Sequence, residues 1–347
     1  MSAKHRALIE EAVNMVPPLS PKMYKGQAGK IAVVGGSFEY TGAPWYAGIS
    51  ALRLGADLSH IFCCENAATA IKAYSPELIV HPLLPSSPTI SSRQEELTEE
   101  QSESLVSKSV EKVEAWLPKF NSVVVGPGLG RDPITLRCAS AIIRSARQQG
   151  IPLVIDGDAI SAIVCPEPDI IRGYRLAVLT PNKPEFERLC DSVLSSSGKG
   201  DEEQKNSKHT VKELAKGLGN VLVVQKGQTD RISDGSEEAV ECSTESGLRR
   251  FGGQGDILAG AVATFLAWSQ REGQNESASN SNSNKLVSAV YAACHITRRS
   301  SRKAFEKYGR GSHTTAMIGE LTPSLEELLD SPTTASTSSS SPTPSSL

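Results

Sequence analysis

Short, almost continuously apolar runs alternate with amphipathic stretches along most of this chain, and that alternation restricts what it can fold into. The runs that read as strands are Lys30–Gly35, Leu58–Cys63, Glu77–His81, Ser122–Val125, Pro152–Ile155, Arg175–Leu179 and Val221–Gln225. Strands of this kind are buried on both faces. Between them Pro44–Gly55, Asn66–Tyr74, Pro133–Gln149, Pro184–Leu194 and Val211–Lys216 carry helical spacing. Such β-α alternation implies a mostly parallel sheet between helical layers. The later part differs. Asp230–Cys242 reads as a hairpin turning at Asp234-Gly235, and Asp256–Trp268 and Leu286–Tyr308 read as two helices.

A length of 347 residues allows one large α/β domain or two smaller ones. No internal repeat is visible, and the expectation is a single catalytic domain over residues 1–330. Polar segments near 195–209 and 271–285 read as inserts, and 331–347, almost entirely Ser, Thr and Pro, reads as a disordered tail. Such compositions bury too little apolar surface to offset the entropy of ordering.

Charge excludes some functions. The 36 basic and 39 acidic residues leave a net charge of −3, without the basic excess of a general nucleic-acid binder. Seven cysteines, an odd number with no C-x-x-C pair, argue against a disulfide framework and a structural zinc site. Each reads as a small buried hydrophobe. The six histidines form no ligand-spaced cluster. The N-terminus lacks an apolar signal core, and no apolar run is long enough to span a bilayer. The expected setting is cytoplasmic, with no membrane partner.

The most informative segment is Arg249-Arg250-Phe251-Gly252-Gly253-Gln254-Gly255-Asp256. A glycine-rich turn runs directly into an apolar helix. Glycines let backbone N–H groups crowd around an anion, and the helix start adds its positive dipole end. No Lys-Ser/Thr follows, so this is not a P-loop. Asp256 has two readings, a helix cap or a functional acid; the glycines favour the second. Four more strand ends carry polar or glycine-rich turns. Val123–Asp132 (VVVGPGLGRD) places Gly126, Gly128 and Gly130 before Asp132, which either caps a helix or accompanies a second phosphate site. Val154-Ile155-Asp156-Gly157-Asp158 ends in two acids, suited to Mg²⁺ through water or to holding a loop. Thr180–Arg188 begins a helix with Asn182, Glu185 and Arg188, and VLVVQKGQTD ends a buried strand in Lys226-Gly227 with Asp230 close behind. Ligands of open α/β sheets bind beyond the carboxyl ends of strands. The first strand ends Gly35-Gly36-Ser37, small enough for close approach of a ligand.

In order, GKIAVVGGS, VVVGPGLGRD, VIDGDA, LTPNKPEFERL, VVQKGQTD and RRFGGQGDILAG resemble the NAD(P)H-hydrate dehydratases, from about Tyr24 to Ile318. The GGQGDILAG form is similar to the eukaryotic, ATP-using members. The resemblance implies a ribokinase-like α/β fold, a three-layer sandwich without a lid. It implies that Gly128, together with Asn182, Lys183, Pro184, Glu185, Phe186, Glu187 and Arg188, contacts the hydrated dinucleotide. It implies that Lys226, Gly227, Gln228, Thr229 and Asp230 hold ATP. Ser246, Gly247, Leu248, Arg249, Arg250, Phe251, Gly252, Gly253, Gln254 and Gly255 would hold it too. Asp256 would reach the substrate as general base. Phe251 departs from the pattern, standing where a small residue or cysteine is expected. The implied reaction is ATP-dependent dehydration of NADHX and NADPHX, assisted by Mg²⁺ whose ligands the sequence leaves unknown. An epimerase partner is expected on a separate chain, and a homo-oligomer is left open. Three other readings compete: a non-catalytic nucleotide-binding regulator, a small-molecule kinase of the same fold, acting on a vitamin precursor or sugar, and a nicotinamide-dependent dehydrogenase. The last lacks its G-x-G-x-x-G.

Overall fold

A computed structural model describes residues 2–87, 97–194, 209–271 and 279–330. Nine strands form one sheet: β1 (Lys30–Val34), β2 (Leu58–Cys64), β3 (Ile79–Leu84), β4 (Ser122–Val125), β5 (Leu153–Ile155), β6 (Ala177–Leu179), β7 (Leu222–Gln225), β8 (Asp230–Ser233) and β9 (Val240–Cys242). Their spatial order is β3-β2-β1-β4-β5-β6-β7-β8-β9. The first seven are mutually parallel, and β8 and β9 return antiparallel. The expected α/β sandwich is therefore present, with strand ends within two residues of expectation except at β3. There the strand runs on through Pro82 to Leu84. A proline cannot donate to a ladder, and β3 can hold one because it is an edge strand.

Among the described residues twelve α-helices accompany the sheet: α1 (Ala3–Met15), α2 (Gly42–Arg53), α3 (Glu65–Tyr74), α4 (Glu99–Glu114), α5 (Pro133–Gln148), the single turn α6 (Gly157–Ala159), α7 (Lys183–Leu194), α8 (Val211–Gly217), α9 (Gln254–Ser269), α10 (Ser279–Tyr308), α11 (Thr314–Gly319) and α12 (Leu321–Leu329). Side chains alternate across the strands. Ile31 and Val33 face a core shared with α1, α2, α3, α9, α10, α11 and α12. Ala32 and Val34 face a second core shared with α4, α5, α7 and α8. This is the three-layer arrangement that the strand composition demands.

Sequence reading missed α1, α4, α11 and α12, and the single turn α6. In α1, Ile9, Ala12 and Met15 are buried, and the Ser2 hydroxyl accepts from the His5 amide at 3.3 Å. Helix α4 buries Ser102 and Val113 and lays Val106 and Val110 half-buried against the second core, and Thr98 and Gln101 cap its start reciprocally. Helices α11 and α12 are short. The expected hairpin exists, but Asp234–Ala239 connects its strands, longer than a two-residue turn. The segment 195–208, most of one expected insert, lies outside the described residues, as do 272–278 and the tail 331–347. Residues 279–285, assigned to the second insert, begin α10 instead.

Helix α9 is apolar on every side, with Ile257 through Ser269 all buried, as befits a helix enclosed by others. Its closest approach is to α2. A Cβ added to Gly260 would stand 2.1 Å from the Ala47 carbonyl oxygen. Gly260→Ala must therefore push the two helices apart. We expect it to cost about 2–4 kcal/mol of folding stability in urea titration. A change within about 0.5 kcal/mol would show that the contact is looser than its geometry implies.

Candidate active site

Strands β1–β3 lead one way from the centre and β4–β7 the other, so chain direction switches between β1 and β4. Loops leaving such a pair diverge and open a crevice. Here the crevice is lined by glycines. The Gly36 amide donates to the carbonyls of Pro127 and Gly128, each at 3.1 Å. Gly126 and Gly128 have positive φ, and a Cβ on Gly126 would lie 1.8 Å from the Asp156 carbonyl oxygen. Gly128 is equally confined, 2.7 Å from the Tyr40 carbonyl by the same construction. Beside it Asp158 accepts from the Gly130 amide at 2.9 Å. Asp132 is the N-cap of α5, accepting from Ile134 and Thr135 at 3.0 Å each.

Three neighbouring strands, β5, β6 and β7, end side by side and bring Asp156, Thr180 and Lys226 together. Buried Asp156 receives the Thr180 hydroxyl and the Lys226 ammonium on one oxygen, both at 2.7 Å. Asp156 thus anchors a lysine, while Asp158 anchors a loop. Helix α9 starts over this pair: a Cβ on Gly255 would lie 3.1 Å from Lys226 Nζ and 4.0 Å from Asp156 Oδ2. Its cap residue Gly253 has φ 90°, a left-handed conformation that glycine adopts without strain. Asp256 sits in the first turn, without a side-chain cap at that end.

Electrostatics single out Asp256. Burial first, then the negative charge of Asp156, push its carboxyl up to about 7, while Lys226 opposes the shift. Glu185 is also raised, chiefly by burial and against the pull of Lys226. Burial disfavours charge on Lys226, but Asp156, Glu185 and Asp256 outweigh it and hold the ammonium above its ordinary value. One ammonium thus stands among three carboxylates.

The remaining expected residues divide by position. Asn182 and Glu185 bond reciprocally at the start of α7: the Asn182 amide donates to Glu185 at 2.9 Å, and the Glu185 amide to Asn182 Oδ1 at 3.0 Å. Pro184 is exposed. Lys183 and Glu187 face solvent as a pair 4.0 Å apart. Phe186 is buried in the second core, and Arg188 donates to Ser161 at 2.9 Å. In the β7–β8 turn, the Gly227 amide donates to Asp230 at 3.0 Å, with Gln228 exposed and Thr229 half-buried. Ser246 is half-buried, Gly247 buried and Leu248 exposed. Arg249 donates to the Arg310 carbonyl at 2.6 Å and to that of Ser312, and Arg250 reaches the Gly247 carbonyl at 2.8 Å. Phe251 is half-buried against the first core, with Arg249 at 6.0 Å from its ring centre. Gln254 reaches Ser301 at 3.3 Å, and Thr314 donates to the Gly252 carbonyl at 2.5 Å.

Sequence reading missed Thr314 and Arg298. Both lie outside the glycine-rich segments yet bond to the loops that carry them. Arg298 opens the basic run Arg298-Arg299-Ser300-Ser301-Arg302-Lys303, and nothing in the sequence marks it out from its neighbours. All seven cysteines are free, and burial pushes the thiols of Cys63, Cys138 and Cys190 up to about 12. Among the described residues no helix is long and apolar enough to cross a membrane, and no cluster of three His, Cys, Asp or Glu side chains is arranged to hold a metal.

A carboxyl raised by burial is less stable ionised in the folded protein than unfolded. The stability it contributes is present in acid and is lost as pH rises toward its folded value near 7. Asp256→Asn removes that loss. We expect the variant to be more stable than the parent at pH 8 by on the order of 2 kcal/mol, with the gap closing toward pH 4. Thermal melts at both pH values check this, and equal melting at pH 8 would contradict it.

Comparisons with known proteins agree with this geometry. A sequence profile described as NAD(P)H-hydrate dehydratase matches residues 31–323. The ATP-dependent (S)-NAD(P)H-hydrate dehydratase of Bos taurus is 44% identical over 325 residues, covering 93% of this chain and 90% of the relative. The Arabidopsis thaliana protein of that name is 44% identical over 330 residues, 94% of this chain and 87% of its own. Among solved structures, a ribokinase-like superfamily protein of Enterococcus faecalis superposes with TM-score 0.64 at 19% identity, covering 93% of this chain and 94% of that one. The ADP/ATP-dependent NAD(P)H-hydrate dehydratase of Bacillus subtilis, co-crystallised with ATP and Mg²⁺, gives TM-score 0.56 at 19% identity, covering 92% and 95%. This chain belongs to the NAD(P)H-hydrate dehydratase family.

Proposed function

We propose that this chain uses ATP to convert NADHX and NADPHX back to NADH and NADPH, releasing ADP and phosphate. The observation that carries the reading is Asp256, raised toward neutral pH, on the first turn of a glycine-led helix beside the Asp156–Lys226 pair. Hydroxide is a poor leaving group, so the substrate hydroxyl must be activated. Its oxygen attacks the γ-phosphorus, Asp256 takes its proton, and the bridging bond breaks with its electrons on ADP. The C–O bond then breaks with its electrons on phosphate, assisted by the ring nitrogen. Loss of a proton from the adjacent carbon restores the double bond.

Each segment has a part in this reading. Gly128, after β4, and the Asn182–Arg188 turn, after β6, would contact the dinucleotide, with Asn182, Glu185 and Arg188 nearest in chemistry to a polar substrate. Lys183, Glu187 and buried Phe186 would act through the helix rather than by contact. Lys226–Asp230 and Ser246–Gly255 would hold ATP. Amides of the first turn of α9 lack helical partners and would meet charge on the transferred phosphoryl group. Mg²⁺ fits the donor chemistry: Asp156 and Asp158 would reach it through water, with the phosphates supplying the rest, the mode this ion prefers. When bound it would neutralise charge between the phosphates. Seven free cysteines suit a reducing compartment such as the cytosol, and an epimerase on a separate chain would complete the repair.

The test is absorbance at the reduced-nicotinamide band after mixing protein, NADHX, Mg²⁺ and ATP, with a control lacking ATP. Recovery of NADH in step with ADP and phosphate is expected. A stable phosphorylated product instead of free phosphate would make the chain a kinase. The acid limb of kcat/KM should lie near pH 7, where Asp256 gives up its proton. Asp256→Asn should lower kcat by roughly 100-fold or more; wild-type turnover in that variant would remove Asp256 from the role of base.

A further inference from the structure

Helix α10 carries one guanidinium into the interior. The Arg298 side chain is only 9% exposed and forms an ion pair of 3.1 Å with Asp230 Oδ2. The same group donates to the carbonyls of Gly227 at 3.3 Å and Gln228, and its Nε donates to the Thr244 carbonyl at 2.6 Å. Two of these acceptors belong to the turn between β7 and β8, and a third, Asp230, begins β8. The fourth lies just past β9, where the chain heads toward the glycine-rich loop.

The peptide unit is planar and trans, so its C=O and N–H point in opposite directions. Arg298 draws the carbonyls of Gly227 and Gln228 toward itself. The amides in the same two peptide planes, those of Gln228 and Thr229, therefore point away from it, on the side where Gln228 is exposed and Thr229 half-exposed. With four acceptors engaged, the guanidinium has little left to offer a ligand. Its influence passes through the turn.

We propose that Arg298 is a positioning residue for the nucleotide: by fixing the carbonyls of Gly227 and Gln228 it presents the amides of Gln228 and Thr229 as a paired donor surface for acceptor atoms of ATP. The proposal rests on the reading that residues 226–230 hold ATP. Only a planar, multiply donating cation can engage these acceptors together, so lysine cannot replace it despite keeping the charge opposite Asp230.

The test uses the full chain and Arg298→Lys, with Arg298→Met alongside. Steady-state KM for ATP and for NADHX, kcat at saturating ATP, and Tm are measured for each. We expect Arg298→Lys to raise KM for ATP roughly tenfold, leaving KM for NADHX within about twofold and kcat within about threefold. An ATP KM within about twofold of the parent overturns the proposal. So does a parallel collapse of kcat and both KM values with Tm, the mark of a purely structural arginine. Hydrogen exchange on the unmutated protein provides a second check. The amides of Gln228 and Thr229 should exchange freely without nucleotide and become protected by ATP. Protection already present without ATP overturns the proposal. Protection of the turn by ATP together with an unchanged ATP KM in Arg298→Lys removes Arg298 and leaves the location of ATP standing. Protection by ATP elsewhere removes both.

Discussion

The Lys226 ammonium stands where three parallel strands end, and the rest of the site is arranged around its charge. Taking ionisable groups out of water is costly unless they are paired and hydrogen-bonded. Asp156 meets that condition by accepting from Lys226 and Thr180 together. Glu185 and Asp256 add two more carboxylates to one cation, so negative charge is in excess. Burial weighs first on Asp256 and the charge of Asp156 second, with Lys226 and a backbone amide opposing. Asp156 has its lysine and threonine, and Glu185 has the Asn182 amide. Asp256 is left with a proton that it gives up near neutral pH. Its suitability as a base follows from its burial and from the negative charge of Asp156 beside it.

The arrangement needs backbone segments closer than side chains permit. Gly126 brings the loop after β4 against the backbone of Asp156, and Gly260 lets α9 lie directly on α2. The first contact locates the crevice at the switch between β1 and β4. The second lowers the start of α9 onto the exit of β5 and β7. Both are packing requirements, and both set the distance between the crevice and Asp256.

Much of this was legible in the sequence, and the reasons differ by element. Strands such as Val123–Val125 and Leu222–Val224 announce themselves because burial on both faces leaves no polar position. Asp256 could be singled out because glycines before a helix start have few other uses. The short period of the Asn182–Arg188 turn was readable as a helix start, but not which face each residue takes. A helix turns about 100° per residue, so Phe186 enters the core while Lys183 and Glu187 reach water. Helix α4 escaped although Val106, Val110 and Val113 recur at helical spacing against the second core and its capping residues were in plain view. The expected strand stopped at His81, just before Pro82, and only the spatial order of strands shows that this proline lies at an edge.

Arg298 and Thr314 escaped for a deeper reason. A glycine-rich loop displays its function locally, in the residues that form it, but a flexible loop presents its amides usefully only if something fixes its carbonyls. That support comes from side chains distant in sequence, which carry no motif of their own. Arg298 reaches the β7–β8 turn from α10 and Thr314 reaches Gly252 from α11. Two separate loops are thus held from one helical layer, the same layer whose apolar faces enclose α9. Preorganisation of donors toward developing charge is effective only when the donors do not have to be reoriented during the reaction. In this fold the layer that buries the central helix is also the one that can keep those donors in place.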